Sequence, residues 1–104
     1  MKQTMVRQGD VLLMAVPDDG RQGKQLPRDR GRLVLAYGEV TGHAHAVATK
    51  DAEMFSVKDQ TFLRMIERGE LTHEEHGTIP LDRGLYRVIR QSEYAPEEIR
   101  QVAD

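Results

Sequence analysis

Four histidines are the residues of this chain best suited to chemistry, and all of them fall within two short phrases. Gly38-Glu39-Val40-Thr41-Gly42-His43-Ala44-His45 comes first, and Gly69-Glu70-Leu71-Thr72-His73-Glu74-Glu75-His76 follows. Superposed, they share Gly, Glu, an aliphatic, Thr and, four positions on, His. His43 and His45 form an H-x-H. On a strand, residues two apart share a face with Cα atoms about 6.5 Å apart, so both imidazoles can converge on one ion. Neutral imidazole is the commonest metal ligand near neutral pH.

His73 and His76 are spaced i, i+3, with Gly77 and Pro80 close behind. This is not the helical zinc-protease pattern, which needs histidines four apart. A turn or short 3₁₀ piece brings both rings to one side. A straight strand leaves only one of them in the site, and His76, which aligns with His45, is then the stronger candidate. Glu74 or Glu75 suits a ligand, a carboxylate orienting an imidazole, or a general base. A single histidine of this kind ordinarily sits on the surface. The set of two pairs points instead to a divalent metal site of His43, His45, His73 and His76. Zinc, manganese, iron and nickel are not separable on this donor set. An open coordination position would allow hydrolysis or oxidation of a small-molecule substrate.

Two readings need no metal. Histidines can act as acid and base in RNA processing, with Arg21, Lys24, Arg28, Arg30 and Arg32 holding the backbone and Arg87 and Arg90 assisting. A non-enzymatic module is the other: small β domains with open edges form homo-oligomers or add strands, and histidines would tune such an interface with pH.

Composition narrows the class. A chain of 104 residues is one domain by size. The absence of cysteine excludes disulfides and thiolate zinc sites. A net charge of −2 gives no global attraction to nucleic acid or anionic membranes. No apolar run has signal-peptide or membrane-spanning length, so a cytoplasmic protein without membrane contact is expected. With five aromatics, of which Tyr37, Phe55, Phe62 and Tyr86 read as core, a base-stacking platform is poorly supported.

The elements that must position the histidines read as short strands. Val11–Val16 is apolar throughout and bounded by turns, as for a strand buried on both faces. Residues 17–32 hold three glycines and two prolines and read as the longest loop. Residues 32–37, 54–57, 61–66 and 85–91 read as further strands, with an extended stretch over 40–47. Pro96 followed by Glu97 and Glu98 suits a short helical turn over 97–102. The expectation is an all-β fold, a small barrel or sandwich of about six to seven short strands. The repeated phrase raises a pseudo-twofold arrangement, and the division is a single β domain over 1–96 with a C-terminal tail over 97–104.

Gln8-Gly9-Asp10-Val11-Leu12, the two histidine phrases with Gly77, Gly84-Leu85-Tyr86 and Gln91-Ser92-Glu93-Tyr94 resemble a family of small uncharacterised bacterial proteins over nearly the whole chain. The resemblance implies no particular activity. A looser similarity is to cupins, small metal-binding β-barrels with an H-x-H on one strand and a later histidine. His43 and His45 match the first element. A cupin glutamate would stand where this chain has Thr49 and Lys50, and Glu53 is too far along. Pro and Gly also follow His76 here instead of preceding it.

Overall fold

Runs of two to seven strand residues alternate with turns and loops along the described residues. The computed structural model describes residues 4–38, 40 and 42–90. Ten strands form: β1 (Met5–Gln8), β2 (Val11–Val16), β3 (Lys24–Gln25), β4 (Leu33–Tyr37), β5 (Ala44–Val47), β6 (Ala52–Val57), β7 (Gln60–Met65), β8 (Gly69–Thr72), β9 (Ile79–Leu81) and β10 (Gly84–Arg90). They make a six-stranded sheet, β1-β2-β10-β7-β6-β3, and a four-stranded sheet, β4-β5-β8-β9, antiparallel throughout. The fold is all-β and sandwich-like, and no closed barrel forms among the described residues. The strand count exceeds the sequence expectation because β1, β3, β8 and β9 are short, with two to four residues each. Their pairing comes from neighbours, not from an apolar run of their own.

The core lies between the sheets. Val6, Val11, Leu13, Leu63, Met65 and Tyr86 from the larger sheet meet Leu33, Leu35, Val47, Leu71 and Leu81 from the smaller. Burying one such aliphatic side chain is worth about 1.5–3 kcal/mol. Val11 and Leu13 face this core, whereas on the opposite face Met14 is exposed and Leu12 and Val16 are half-buried, so β2 is not fully buried on both faces. At the other end of the larger sheet, its outer face carries a second cluster of Phe55, Phe62 and Leu85.

Part of the 17–32 segment covers that cluster. The Arg21 guanidinium lies over the Phe62 ring and Arg64 over Phe55, at 5.1 and 4.9 Å from the centroids. Arg64 grips the segment with two bonds to the Asp18 carboxylate, at 3.0 and 3.1 Å, and one to the Arg21 carbonyl, and it also donates to Glu53 on β6. Hydrogen bonds from Arg64 hold the Asp18 carboxyl below its ordinary value of 3.8. A depressed carboxyl stabilises the fold above the ordinary value, and that contribution fades as pH falls through the folded one. Asp18→Asn should therefore lower Tm by a few degrees at pH 7. The gap from the wild type should close as melts are repeated down to pH 3.

The two histidine phrases take different structures. Gly69–Thr72 is β8, whereas Gly38, Val40 and Gly42 lie between β4 and β5. With six strands in one sheet and four in the other, the repeated phrase does not extend to a twofold fold. The helical turn expected over 97–102 lies outside the described residues. Among those residues, no helix is long and apolar enough to cross a membrane.

Candidate metal centre

His45 is the fixed point. It sits on β5, an inner strand of the smaller sheet, and only 3% of it is exposed. A buried imidazole needs partners, and Gln8 supplies one. Gln8, at the end of β1, is itself buried, and both hydrogens of its amide are used. Nε2 donates to the Leu71 carbonyl at 3.1 Å and to the Gly77 carbonyl at 2.9 Å. That fixes the amide's orientation and presents Oε1 to His45 Nδ1 at 2.8 Å. A carbonyl oxygen only accepts, so Nδ1 must carry the ring proton. The lone pair of His45 is therefore on Nε2. Burial, with the His73 and His76 rings adding to it, pushes this imidazole below its ordinary value of 6.5, against the opposing pull of Asp10. The ring is neutral at physiological pH.

The remaining groups gather around that lone pair. His73 follows β8 directly and His76 lies in the β8–β9 turn. Ring centroids are 4.3 Å apart for His45–His73, 4.7 Å for His73–His76 and 5.6 Å for His45–His76. One ligand atom from each of the three lies within 4.8 Å of the others. These histidine groups are within metal-binding distance of one another. The turn thus brings the i, i+3 pair to one side, and His73 belongs to the compact set as fully as His76.

Asp10, in the β1–β2 turn, stands beside His45 but outside the group of three. Its Oδ1 stands 3.5 Å from His45 Nε2. Given the tautomer, no proton lies between these two acceptors, so they repel unless a cation or a proton intervenes. Two ligands of one tetrahedral ion with bonds of 2.0–2.1 Å stand about 3.3 Å apart, close to this spacing.

Gly9 makes the approach of the turn feasible. Its φ is +60°, and a Cβ there would lie 2.9 Å from His76 Nε2 and 3.0 Å from His45 Cε1. Gly9→Ala would both strain the backbone, by about 1–2 kcal/mol, and push the rings apart. It should weaken zinc binding in a calorimetric titration. Gly77→Ala, with open space at its Cβ, should leave zinc binding unchanged.

His43 and the two glutamates occupy the other side. His43 precedes β5 instead of lying on it, so the strand argument that paired it with His45 does not describe it. Its Nδ1 is 3.4 Å from Glu75 Oε2, and its ring edge faces His73 at 5.7 Å. Glu74 Oε1 accepts the Ala44 backbone N–H at 2.9 Å, which holds its carboxyl below the ordinary range. A second group of His43, His73 and Glu74 also falls within 4.8 Å, but this Glu74 oxygen is tied to the start of β5. The Glu75 N–H donates to His73 Nδ1 at 3.0 Å. If His73 binds an ion through Nδ1, this bond is lost outright. If it binds through Nε2, Nδ1 must take the proton, and the bond is lost again. Either route costs about 0.5–1.5 kcal/mol. Asp10, His43, His45, His73, Glu75 and His76 together line an open pocket of about 350 Å³.

The five basic residues do not act as one patch. Arg21 pairs with Asp19 and covers Phe62, and Lys24 lies on β3. Arg28 donates to the carbonyls of Gly31, Thr49 and Ala52. Arg30 and Arg32 alone reach the neighbourhood of His43, in an adjoining pocket. Gln8, Gly9 and Asp10 were not among the site residues read from sequence. The only hint was their presence among the motif residues of the bacterial-family resemblance.

Residues 7–91 match the family model described as a domain of unknown function (DUF8820), and the chain belongs to that family. The matched span contains Gln8, Asp10 and all four histidines. No curated protein and no solved structure matches the chain.

Proposed function

We propose that this protein binds one divalent metal ion through His45, His73 and His76, with Asp10 as the carboxylate ligand, and uses it to hydrolyse a small molecule. The observation that carries the reading is the Gln8 clamp. A buried amide with both hydrogens committed holds a histidine in the tautomer that offers Nε2, and a carboxylate oxygen faces that lone pair without a proton. Metal-ligating histidines characteristically donate their other N–H to such a partner.

The donor set is three nitrogens and one carboxylate oxygen, with no sulfur. It suits zinc, manganese or iron, and the carboxylate comes from the β1–β2 turn instead of the position a cupin would use. The pocket is open to solvent, with Asp10, Glu75 and His76 exposed at its edge. Hydrolysis needs only water, which that opening admits. Held by these histidines, an ion would lower the pKa of a water beside it. Glu75 would take that water's proton and pass it to His43, 3.4 Å away, which would give it to the leaving group as the bond to that group breaks and the bond to the water oxygen forms.

Zinc titration of chelator-treated protein tests the binding step. One equivalent per chain with sub-micromolar affinity is expected. Less than about 0.2 equivalents at saturation would remove the metal reading.

A further inference from the structure

Next to the histidine pocket lies a second one of about 270 Å³, which shares Tyr37 and His43 with it. Arg30, Arg32 and Asp29 form its far wall. We propose that this adjoining pocket binds the phosphate group of a phosphate monoester, with Arg30 and Arg32 as the anion-binding pair and the scissile bond directed toward His43. The proposal rests on the metal-centre reading for the reaction, but the anion site stands on its own geometry.

Four observations support it. First, Asp29 and Arg32 bridge each other through backbone bonds of 2.8 and 3.1 Å, enclosing Arg30 and Gly31 in a two-residue turn. Second, that turn is braced from behind: Arg28 donates to Gly31, Thr49 and Ala52 carbonyls, tying it to the segment before β6. Third, the pocket holds one carboxylate against two guanidinium groups, and Asp29 Oδ2 accepts the Tyr37 hydroxyl. Neither Arg30 nor Arg32 enters an ion pair among the described residues. Fourth, Arg30 has φ 55° and Gly31 φ 81°, a pair of left-handed values for which Asn or Gly is the favoured first residue. The turn itself does not call for arginine. Lys58 shows the same φ in the β6–β7 turn, so strain alone says little. What sets Arg30 apart is a place beside a histidine pocket. Two guanidinium forks fit the oxygens of a phosphate, which they bind with charge-assisted bonds. The two pockets together are of small-molecule size. With Arg21 and Arg28 engaged elsewhere, the wall is too short for a run of backbone phosphates.

Titration with inorganic phosphate, followed by the amide signals of Gly42 and Ala44, tests this on chelator-treated and zinc-loaded protein alike. Millimolar or tighter binding to the chelator-treated wild type is expected, weakened at least 10-fold in Arg30→Ala/Arg32→Ala, with zinc stoichiometry unchanged. Arg30→Gly should weaken phosphate binding while keeping or raising Tm, because glycine relieves the turn. Phosphate binding that is absent, or equal in the double variant, overturns the proposal. Acetate binding as tight as phosphate overturns the assignment to phosphate. An arginine-dependent affinity for a short single-stranded RNA that exceeds the phosphate affinity overturns the small-molecule class. Phosphate binding without zinc binding would leave the anion site standing and remove the metal reading.

Discussion

His45→Ala should lose zinc affinity by at least about 100-fold in calorimetric titration. Removing a group that merely orients a ligand typically costs 10–100-fold, and His45 is the ligand itself, so the larger figure is the floor. The variant should also be less stable without metal. Gln8 Oε1 would be left without its partner in a buried place, at about 1–3 kcal/mol. The two effects separate cleanly, since the stability loss is present in chelator and the affinity loss is not. His43→Ala makes the contrast. His43 lies outside the compact set of three, so zinc affinity should change by less than about 10-fold. An equal loss in both variants would move the site toward His43 and away from the Gln8 clamp.

Gln8→Leu should weaken zinc binding by about 10–100-fold without touching a ligand atom. Leucine fills similar volume but gives nothing to His45 Nδ1, so the ring is free to turn and to change tautomer. It also abandons the buried Leu71 carbonyl and the part-buried Gly77 carbonyl. That cost, about 1–3 kcal/mol for the Leu71 carbonyl alone, should appear as a lower Tm. Gln8→Glu is the sharper variant. Its carboxylate accepts from His45 as well as glutamine does, yet it cannot donate to either carbonyl. It should therefore fail to restore stability. A glutamate variant as stable as the wild type would mean that the amide does not join β1 to β8 as described.

The strands with apolar runs were legible in the sequence. Val11–Val16, Leu33–Tyr37 and Leu85–Arg90 announce themselves by composition, and the all-β class followed from them. β1 and β8 did not, because β1 buries Val6 and the polar Gln8, and β8 buries Leu71 alone, so neither carries an apolar alternation. The repeated phrase drew attention to histidines that the fold brings together, for an incomplete reason. Its two copies fold differently, so the equivalence of His45 and His76 is not structural, and His73 joins the set through the turn that equivalence left out. Gln8 and Asp10 were hidden by distance: they lie 37 and 35 residues before His45, and only the packing of one sheet on the other brings them to it. No local spacing rule reaches that far. In the basic loop, charge count cannot tell that Arg28 is spent on three carbonyls.

Ring nitrogen shifts of the four histidines, recorded at neutral pH before and after one equivalent of zinc, address the central claim residue by residue. The Nε2 signal of His45 should move to the range of a metal-bound nitrogen while Nδ1 remains protonated. His73 and His76 should each show one bound nitrogen, the Glu75 amide should shift as it releases His73, and His43 should keep its free signals. If zinc leaves the His45 ring unchanged and perturbs only the exposed His76, the three-histidine centre does not exist.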